Sequence, residues 1–343
     1  MAIYSTNVDT NKIMNIDDYP IYTPVLFMVF NRISEAEETF FAIRRAKPLK
    51  LYLSVNAPRD YIEGEKEKVN DVINIVLNNV DWDCEVKTLI REEHLDIKNS
   101  LSSAIDWVFE NEDTAIILED DCVPASSFFI FCQELLEKYN DNESIMHIGG
   151  SNFQDGILRG NASYYFSAIT GIWGWATWKR SWAQYNPNAD GAKDFIDSRR
   201  INKLLTARKT RKFWSRRFLA IESGTNKSAY DIAWAFSVMK SSGVCITPNK
   251  NLISNVGFSA SATHAFDENS FFSRVPTEEL ENIVHPDYIA IDHEADNYVT
   301  MKAYRETDST FVVIKSKIKK YFFPFLPLAL NNKLLEINQR FFK

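Results

Sequence analysis

The chain has 343 residues, of which 45% are hydrophobic and 25% charged, a composition typical of globular proteins that excludes disorder and fibrous repeats. The length excludes a small stapled scaffold and predicts two packed lobes or one elaborated domain. A formal net charge of −7 argues against nucleic acid as a partner, because an acidic surface repels a polyphosphate.

The first 120 residues alternate between strand and helix patterns. Short apolar or alternating runs predict strands at 24–30, 49–55, 84–90 and 115–118. Amphipathic segments lie between them, and two of the predicted helices begin at Ser34 and Ser100. Strands separated by helices of this length form parallel β-α-β units, so we expect an α/β fold with an open, doubly wound, Rossmann-like sheet.

The second half of the chain has a looser pattern. It predicts helices at 128–139, 199–217 and 231–240, and strands at 145–148 and 244–248. We divide the chain into an N-terminal extension (1–20), a nucleotide-binding Rossmann-like half (21–150), a second half of the same domain (151–300) and a C-terminal tail (301–343). This division is a prediction from pattern and charge.

The cysteines and the N-terminus bear on the compartment. The cysteines show no CxxC spacing and no nearby histidines at metal-finger intervals, which indicates reduced, mostly buried thiols: Cys84, Cys122, Cys132 and Cys245. The N-terminus lacks the basic and apolar stretches of a secretory signal, and no apolar run approaches about 20 residues. We therefore expect a cytoplasmic location.

An acidic triplet, Glu119-Asp120-Asp121, directly follows the apolar run 115–118. In an open parallel sheet, ligands bind outside the carboxyl ends of the strands, so these acids are expected at a ligand site. Carboxylate oxygens suit Mn²⁺ or Mg²⁺, which usually share their coordination with substrate phosphates. The alternative interpretation is a solvated acidic turn.

Aromatic residues make up 13% of the chain, and tryptophans concentrate in one segment. Trp173, Trp175, Trp178 and Trp182 lie within ten residues, close to Gly171 and Gly174. Such a cluster predicts either a ligand platform or an unusually aromatic core. The glycines favour a site, because they permit close approach of the backbone to a ligand.

Two further elements contain candidate catalytic groups. Tyr230 and Asp231 begin a predicted helix that also carries Trp234, and an acid at this position is either a helix cap or a functional carboxylate. A polar loop, 249–264, ends at His264, which is either a surface residue or a ligand.

These elements, in this order, resemble the GT-A glycosyltransferases, specifically the inverting N-acetylglucosaminyltransferase I type and its bacterial relatives, over about residues 22–266. The resemblance implies that the triplet holds Mn²⁺ (or Mg²⁺) on a nucleotide-sugar diphosphate. Asp121 would be the metal ligand, and Glu119 and Asp120 would face sugar and ribose hydroxyls. Asp231 would be the catalytic base.

The same resemblance implies roles for the remaining candidates. Trp173, Gly174 and Trp175 correspond to the family's Gly-x-x-Trp segment on the donor side. Tyr230, Trp234 and His264 would lie on the acceptor side or beside the metal site. The ends of the first two strands would contact the nucleotide, which implies the following binding residues: Asn31, Arg32 and Asn56.

The implied activity is a metal-dependent inverting transfer of a sugar, from a UDP-sugar, to a hydroxyl of a glycan or lipid-linked glycan. Breaking the anomeric bond leaves charge on a diphosphate, and a base on the opposite face of the sugar activates the acceptor. One alternative is a sugar-phosphate nucleotidylyltransferase, although the segment after the first strand lacks the expected glycine-rich, basic signature. The other is a non-catalytic carbohydrate-binding protein, which would not need both Asp121 and Asp231.

The C-terminal tail differs in charge from the rest of the chain. Residues 311–343 carry seven basic residues and one acid, beside a short apolar run, 321–328, that contains two prolines. This run is too short to span a bilayer but suits an interface, so one prediction is peripheral contact with a membrane. The alternative is docking on the protein's own core or on a second subunit of a homo-oligomer.

Overall fold

The computed structural model describes residues 16, 19–257 and 275–304. His264 and the tail 311–343 lie outside the described residues, as does nearly all of the predicted N-terminal extension. Across the described part of the chain, every helix is too short or too polar to cross a membrane.

The centre of the fold is one eight-stranded sheet. Its strands are β1 (Val25–Val29), β2 (Lys50–Val55), β3 (Glu85–Ile90), β4 (Thr114–Glu119), β6 (Ile145–Gly149), β7 (Tyr164–Ser167), β8 (Trp175–Trp178) and β9 (Val244–Pro248). Their order across the sheet is β3-β2-β1-β4-β8-β6-β9-β7. Strands from both predicted halves therefore belong to the same sheet.

Most of the sheet is parallel. β1 pairs in parallel with β2 and β4, β2 with β3, and β6 with β9. β8 runs antiparallel to both of its neighbours, β4 and β6, and β7 runs antiparallel to β9. The predicted fold class, α/β with a mostly parallel central sheet flanked by helices, is confirmed.

Helices pack on the sheet and on one another around three buried clusters of apolar side chains. They are α1 (Ile33–Ala46), α2 (Glu65–Leu77), α3 (Ile97–Asn111), α4 (Ser126–Lys138), α5 (Lys179–Trp182), α6 (Ala192–Asp197), α7 (Ile201–Leu204), α8 (Arg208–Glu222), α9 (Tyr230–Lys240) and α10 (His293–Val299). A π-helical turn, Thr300–Tyr304, follows α10.

Three helices differ from the prediction. α1 begins at Ile33 with Arg32 as its N-cap residue, so Ser34 lies inside the helix and does not cap it. α3 begins before Ser100, because the Asp96 side chain caps it by accepting a hydrogen bond from the Asn99 backbone N–H. The basic segment predicted as one helix, 199–217, divides into α7 and α8, because Leu205 has extended backbone angles.

A small two-stranded sheet lies beside the acid-bearing end of β4. β5 (Cys122–Pro124) pairs antiparallel with β10 (Ile253–Asn255), and Asn255 is opposite Cys122. This pairing holds the segment 255–257 against the acidic triplet.

Candidate active site

The acidic triplet lies at the carboxyl end of β4, as predicted, and Arg32 reaches it from the end of β1. Because β1 and β4 are parallel neighbours, the segments that follow them lie at the same edge of the sheet. Arg32 Nη1 is 2.5 Å from Asp121 Oδ2 and 3.5 Å from Asp120 Oδ1. The positive charge that adjacent carboxylates require is therefore supplied by this guanidinium.

The three carboxyl groups are in unequal environments. Burial, together with the charge of neighbouring Asp121, raises the pKa of Glu119, and burial likewise raises the pKa of Asp120. Arg32 opposes both shifts. One arginine therefore does not fully offset the burial and mutual repulsion of these carboxyl groups, and a further cation would favour their ionised forms.

A hydrogen bond joins the triplet to the start of α9. The Tyr230 hydroxyl donates to Glu119 Oε1 at 2.7 Å across 111 residues of sequence. The next residue, Asp231, is half-buried in the first turn of α9. The structure thus brings together two elements that the sequence had singled out separately.

The Asp231 carboxyl has a raised pKa, chiefly because of burial. The backbone N–H of Ile232 and the Arg217 guanidinium lower it and limit the rise. A carboxylate whose pKa is moved toward neutrality is a better proton acceptor than an ordinary aspartate. The position suits a general base. The alternative interpretation, a helix cap, is not what the structure has, because the N-cap residue of α9 is Ala229 and Asp231 lies within the first turn.

The segment after β10 closes over Asp121. The Val256 backbone N–H donates to the Asp121 carbonyl at 2.9 Å, and Asn255 Nδ2 donates to Asp121 Oδ1 at 3.3 Å. A Cβ atom at Gly257 would lie 2.1 Å from Asp121 Oδ2 and 2.8 Å from Arg32 Nη1. Only glycine fits there, so the backbone rests directly on the Arg32–Asp121 pair.

Beside the triplet is a cavity of about 440 Å³, within the usual range for ligand sites. Five of the predicted nucleotide-sugar residues line it: Asn31, Arg32, Asn56, Glu119 and Asp120. Its walls come from the ends of β1, β2 and β4 and from the start of α3. The carboxyl ends of these strands therefore form a concave, polar site.

Asn31 and Asn56 are both held by internal hydrogen bonds. Asn31 Nδ2 donates to Glu65 Oε1 at 2.9 Å. Asn56 Nδ2 donates to the Leu95 carbonyl at 2.9 Å, and Asn56 Oδ1 accepts from the Leu95 backbone N–H at 3.1 Å. The two hydrogen bonds between Asn56 and the Leu95 backbone fix the loop before α3, and Leu95 lines the cavity.

Two further polar residues in the wall of the cavity, Arg59 and His94, were not predicted from the sequence. Arg59 pairs with buried Glu65, and hydrogen bonds from Arg59 lower the pKa of Glu65 to about 2. His94 Nδ1 is 2.6 Å from the Ala57 carbonyl, and its ring lies 5.3 Å from that of Phe30. Both residues follow closely after the ends of β2 and β3, and ligands bind outside the carboxyl ends of parallel strands, so their positions in the sequence could have indicated them.

The predicted tryptophan site is largely a buried aromatic cluster, formed by Trp175, Trp182, Trp234 and His147. Trp175 and Trp234 are 0% exposed, and their ring centroids are 5.8 Å apart. Trp234 Nε1 donates to His147 Nδ1 at 3.2 Å, and burial lowers the pKa of His147 to about 3, so its ring is neutral. Full burial prevents Trp175 and Trp234 from stacking on a sugar and makes them core residues behind the site.

Trp173 and Gly174 precede this cluster at the start of β8. Trp173 is half-buried, with its ring 5.2 Å from that of Phe153. Gly174 has φ of +58°, and a Cβ there would lie 2.3 Å from Ile253. This glycine therefore serves the packing of β8 against β10 rather than the approach of backbone to a ligand.

The triplet offers carboxylate oxygens, which are suitable ligands for a divalent metal ion, but the described residues do not form a complete coordination shell. Within residues 19–257 and 275–304, no group of three or more His, Cys, Asp or Glu side chains has the arrangement of a metal site. Mg²⁺ commonly binds one or two carboxylates and takes its remaining ligands from substrate phosphates and water. Asp121 fits such a site, because its side chain is 14% exposed and lies next to two further carboxyl groups, those of Glu119 and Asp120.

Comparisons with known proteins give structural similarities only. No protein-family model matches the chain, and no curated protein matches it. A mannosyltransferase from Pyrobaculum calidifontis, solved in complex with GDP-Man and Mn²⁺, is similar over 68% of this chain and 76% of its own, with 10% sequence identity and a TM-score of 0.35.

Two other similar structures carry different names. The 4-diphosphocytidyl-2C-methyl-D-erythritol synthase of Anaerococcus prevotii is 9% identical over 50% of this chain and 77% of its own, with a TM-score of 0.31. An apo UDP-glucose pyrophosphorylase is 6% identical over 66% and 90%, with a TM-score of 0.32. Because these TM-scores are low, we base the function on the chain's own residues.

Proposed function

We propose that the protein is a metal-dependent inverting glycosyltransferase of the GT-A type, resembling the N-acetylglucosaminyltransferase I group. It would transfer a sugar from a nucleotide diphosphate, with UDP as the expected nucleotide, to a hydroxyl of a glycan or lipid-linked glycan. The observation that carries the proposal is the hydrogen bond from Tyr230 to Glu119, which joins the acidic triplet to the start of α9, the helix that contains Asp231. A donor-side carboxylate group and a separate base are the two requirements of inversion.

The donor would occupy the cavity beside the triplet. Arg32 and Arg59 supply positive charge near the expected position of the diphosphate, and guanidinium groups pair well with phosphate oxygens. Glu119 and Asp120, both of which line the cavity, are suited to accept hydrogen bonds from sugar and ribose hydroxyls. The pocket therefore combines phosphate-binding and hydroxyl-binding groups.

Asp121 would hold the metal, with its remaining coordination provided by diphosphate oxygens and water. A divalent ion bound there supplies Lewis-acid stabilisation of the charge that develops on the leaving diphosphate. Asn255 and Val256 hydrogen-bond to Asp121 and fix its orientation.

Asp231 would accept the proton of the acceptor hydroxyl as that oxygen attacks the anomeric carbon from the face opposite the leaving group. The hydrogen bond from Tyr230 to Glu119 supports this role, because it joins the first turn of α9, which contains Asp231, to the acidic triplet. The buried aromatic cluster holds the next turn of this helix through Trp234. Orientation by rigid elements supplies a large part of the acceleration in such reactions.

Donor binding tests this proposal directly. A panel of UDP- and GDP-sugars is titrated by calorimetry into the wild-type chain and Asp121→Asn, with Mn²⁺ or with EDTA, and slow donor hydrolysis is measured in parallel. We expect at least one sugar nucleotide to bind with Mn²⁺ and to bind at least tenfold more weakly with EDTA or in Asp121→Asn.

Asp81→Asn is the matched control, because Asp81 is an exposed aspartate that pairs with Arg44 away from the cavity. It should bind donor like the wild type. Pyrophosphate release from a nucleoside triphosphate and a sugar phosphate, without hydrolysis of any sugar nucleotide, would instead establish a nucleotidylyltransferase.

A further inference from the structure

Arg32 contacts a carboxylate oxygen of Asp121, the residue that is proposed to hold the metal ion. Its Nη1 atom is 2.5 Å from Asp121 Oδ2, and the arginine side chain is 28% exposed at the wall of the cavity. It also lies 3.5 Å from Asp120 Oδ1, so one guanidinium serves two carboxylates. The cavity beside Arg32 leaves room for this side chain to move away from Asp121.

Asp121 has further close neighbours among the described residues. Oδ1 accepts a hydrogen bond from Asn255, and the backbone of Gly257 packs against Oδ2 and Arg32 so closely that no Cβ fits. A divalent ion binds a carboxylate oxygen at about 2.0–2.2 Å. Arg32 Nη1 is 2.5 Å from that oxygen, so a metal ion on the same oxygen would lie within about 5 Å of the guanidinium nitrogen, and the two cations would repel each other. Binding of a metal ion at Oδ2 is therefore favoured when Arg32 leaves that oxygen.

We propose that Arg32 is an exchangeable internal cation, which holds Asp121 before the metal binds and moves to the nucleotide diphosphate when the metal takes its place. The proposal rests on the proposed function, in which Asp121 is the metal ligand. Arg32 has a partner in both arrangements, first a carboxylate and then a phosphate, so its charge is never left unpaired.

The exchange couples the two ligands. Without nucleotide, a metal ion must displace Arg32 and leave it without an anion, so the metal alone binds weakly. With nucleotide present, the displaced guanidinium gains phosphate oxygens, and the metal binds more tightly. By linkage, the metal strengthens nucleotide binding by the same factor, and couplings of this kind amount to about 5- to 150-fold.

Replacing Arg32 separates these effects. In Arg32→Gln, we expect Mn²⁺ without nucleotide to bind about tenfold more tightly than in the wild type, measured from the free Mn²⁺ signal by electron paramagnetic resonance. UDP in the presence of Mn²⁺ should bind about tenfold more weakly by calorimetry. The factor by which UDP strengthens Mn²⁺ binding should fall toward one.

Two variants control this experiment. Arg32→Lys keeps the charge and should retain weak Mn²⁺ binding without nucleotide, so it tests the idea even if Arg32→Gln does not fold. Arg44→Gln removes an arginine that pairs with Asp81 on an exposed surface and should match the wild type in every measurement.

The outcomes distinguish the exchange from the proposed function. Mn²⁺ binding in Arg32→Gln that is unchanged or weaker than in the wild type overturns the exchange. If the wild type then still shows Mn²⁺-dependent UDP binding that Asp121→Asn loses, the proposed function stands. If the wild type binds no Mn²⁺ with or without UDP, both fail together.

Discussion

The acidic triplet and the buried aromatic cluster both contact α9, the first through Tyr230 and the second through Trp234, and they illustrate different uses of unusual residues. The triplet is charged and partly exposed, and it borders a cavity. The cluster contains fully buried Trp175 and Trp234, held by ring contacts and by a neutral histidine. The sequence marks both regions equally strongly, but of the two only the triplet borders the described cavity of about 440 Å³. The accessible polar residues are therefore the candidates for ligand binding and catalysis, and the buried aromatic residues stabilise the fold around them.

The strongest test of this division is Asp231→Asn, which removes a proton acceptor with little change in shape. We expect kcat for transfer to fall by about 10²- to 10⁴-fold, the range for loss of a general base. The dissociation constant for the donor should change less than threefold, because Asp231 is assigned to the acceptor. Transfer would be followed with the donor found by the binding panel and a set of glycan acceptors.

The pH profile should separate loss of the base from loss of structure. Burial raises the pKa of Asp231 above its ordinary value, and only the ionised form accepts a proton. Wild-type kcat/KM should therefore fall as the pH decreases through that raised pKa, and the fall should be absent from the residual activity of the variant. Full activity in Asp231→Asn would remove this residue from the base role.

The buried side of the comparison is tested by Trp234→Ala. Removing a fully buried tryptophan should lower the free energy of unfolding by about 3–5 kcal/mol, measured by urea denaturation. Trp173→Ala is the matched control, since Trp173 is half-buried and should cost less. Equal losses for the two variants would contradict the assignment of Trp234 to the core.

Tyr230→Phe tests the connection between the two regions and should have the smallest effect. The variant keeps the ring but removes the 2.7 Å hydrogen bond to Glu119. Removing the hydroxyl leaves a buried carboxyl group without this partner, which costs about 1–3 kcal/mol, so we expect a comparable loss of stability and about a tenfold fall in kcat. A variant with the stability and kcat of the wild type would show that this bond does not position α9.

Much of the sheet and the acidic site could be predicted because periodicity and strand ends carry the information. The strands of the first 120 residues follow the predicted runs to within one or two residues. Arg32, Glu119 and Asp120 were expected at one sheet edge, and the structure brings them together there.

The second half was harder to predict because its strands are short and their pairing is long-range. β8 has four residues with no alternation of polar and apolar side chains, since all four are buried. Its segment was interpreted as a possible ligand platform, although burial of Trp175 depends on partners in β6 and α9. Local sequence also could not show that Gly174 accommodates Ile253, which is distant along the chain.

The reversed strand β8 also has a consequence for how the chain is assembled during synthesis. β1 to β4 can pair as soon as residue 119 has emerged, but the other edge of β4 pairs only with Trp175–Trp178. Until then, the apolar strand that leads into the acidic triplet exposes unpaired backbone groups, the kind of edge that recruits other chains. A nascent chain that stalls before residue 175 would therefore be prone to aggregate, and the late arrival of β8 both completes the sheet and protects it.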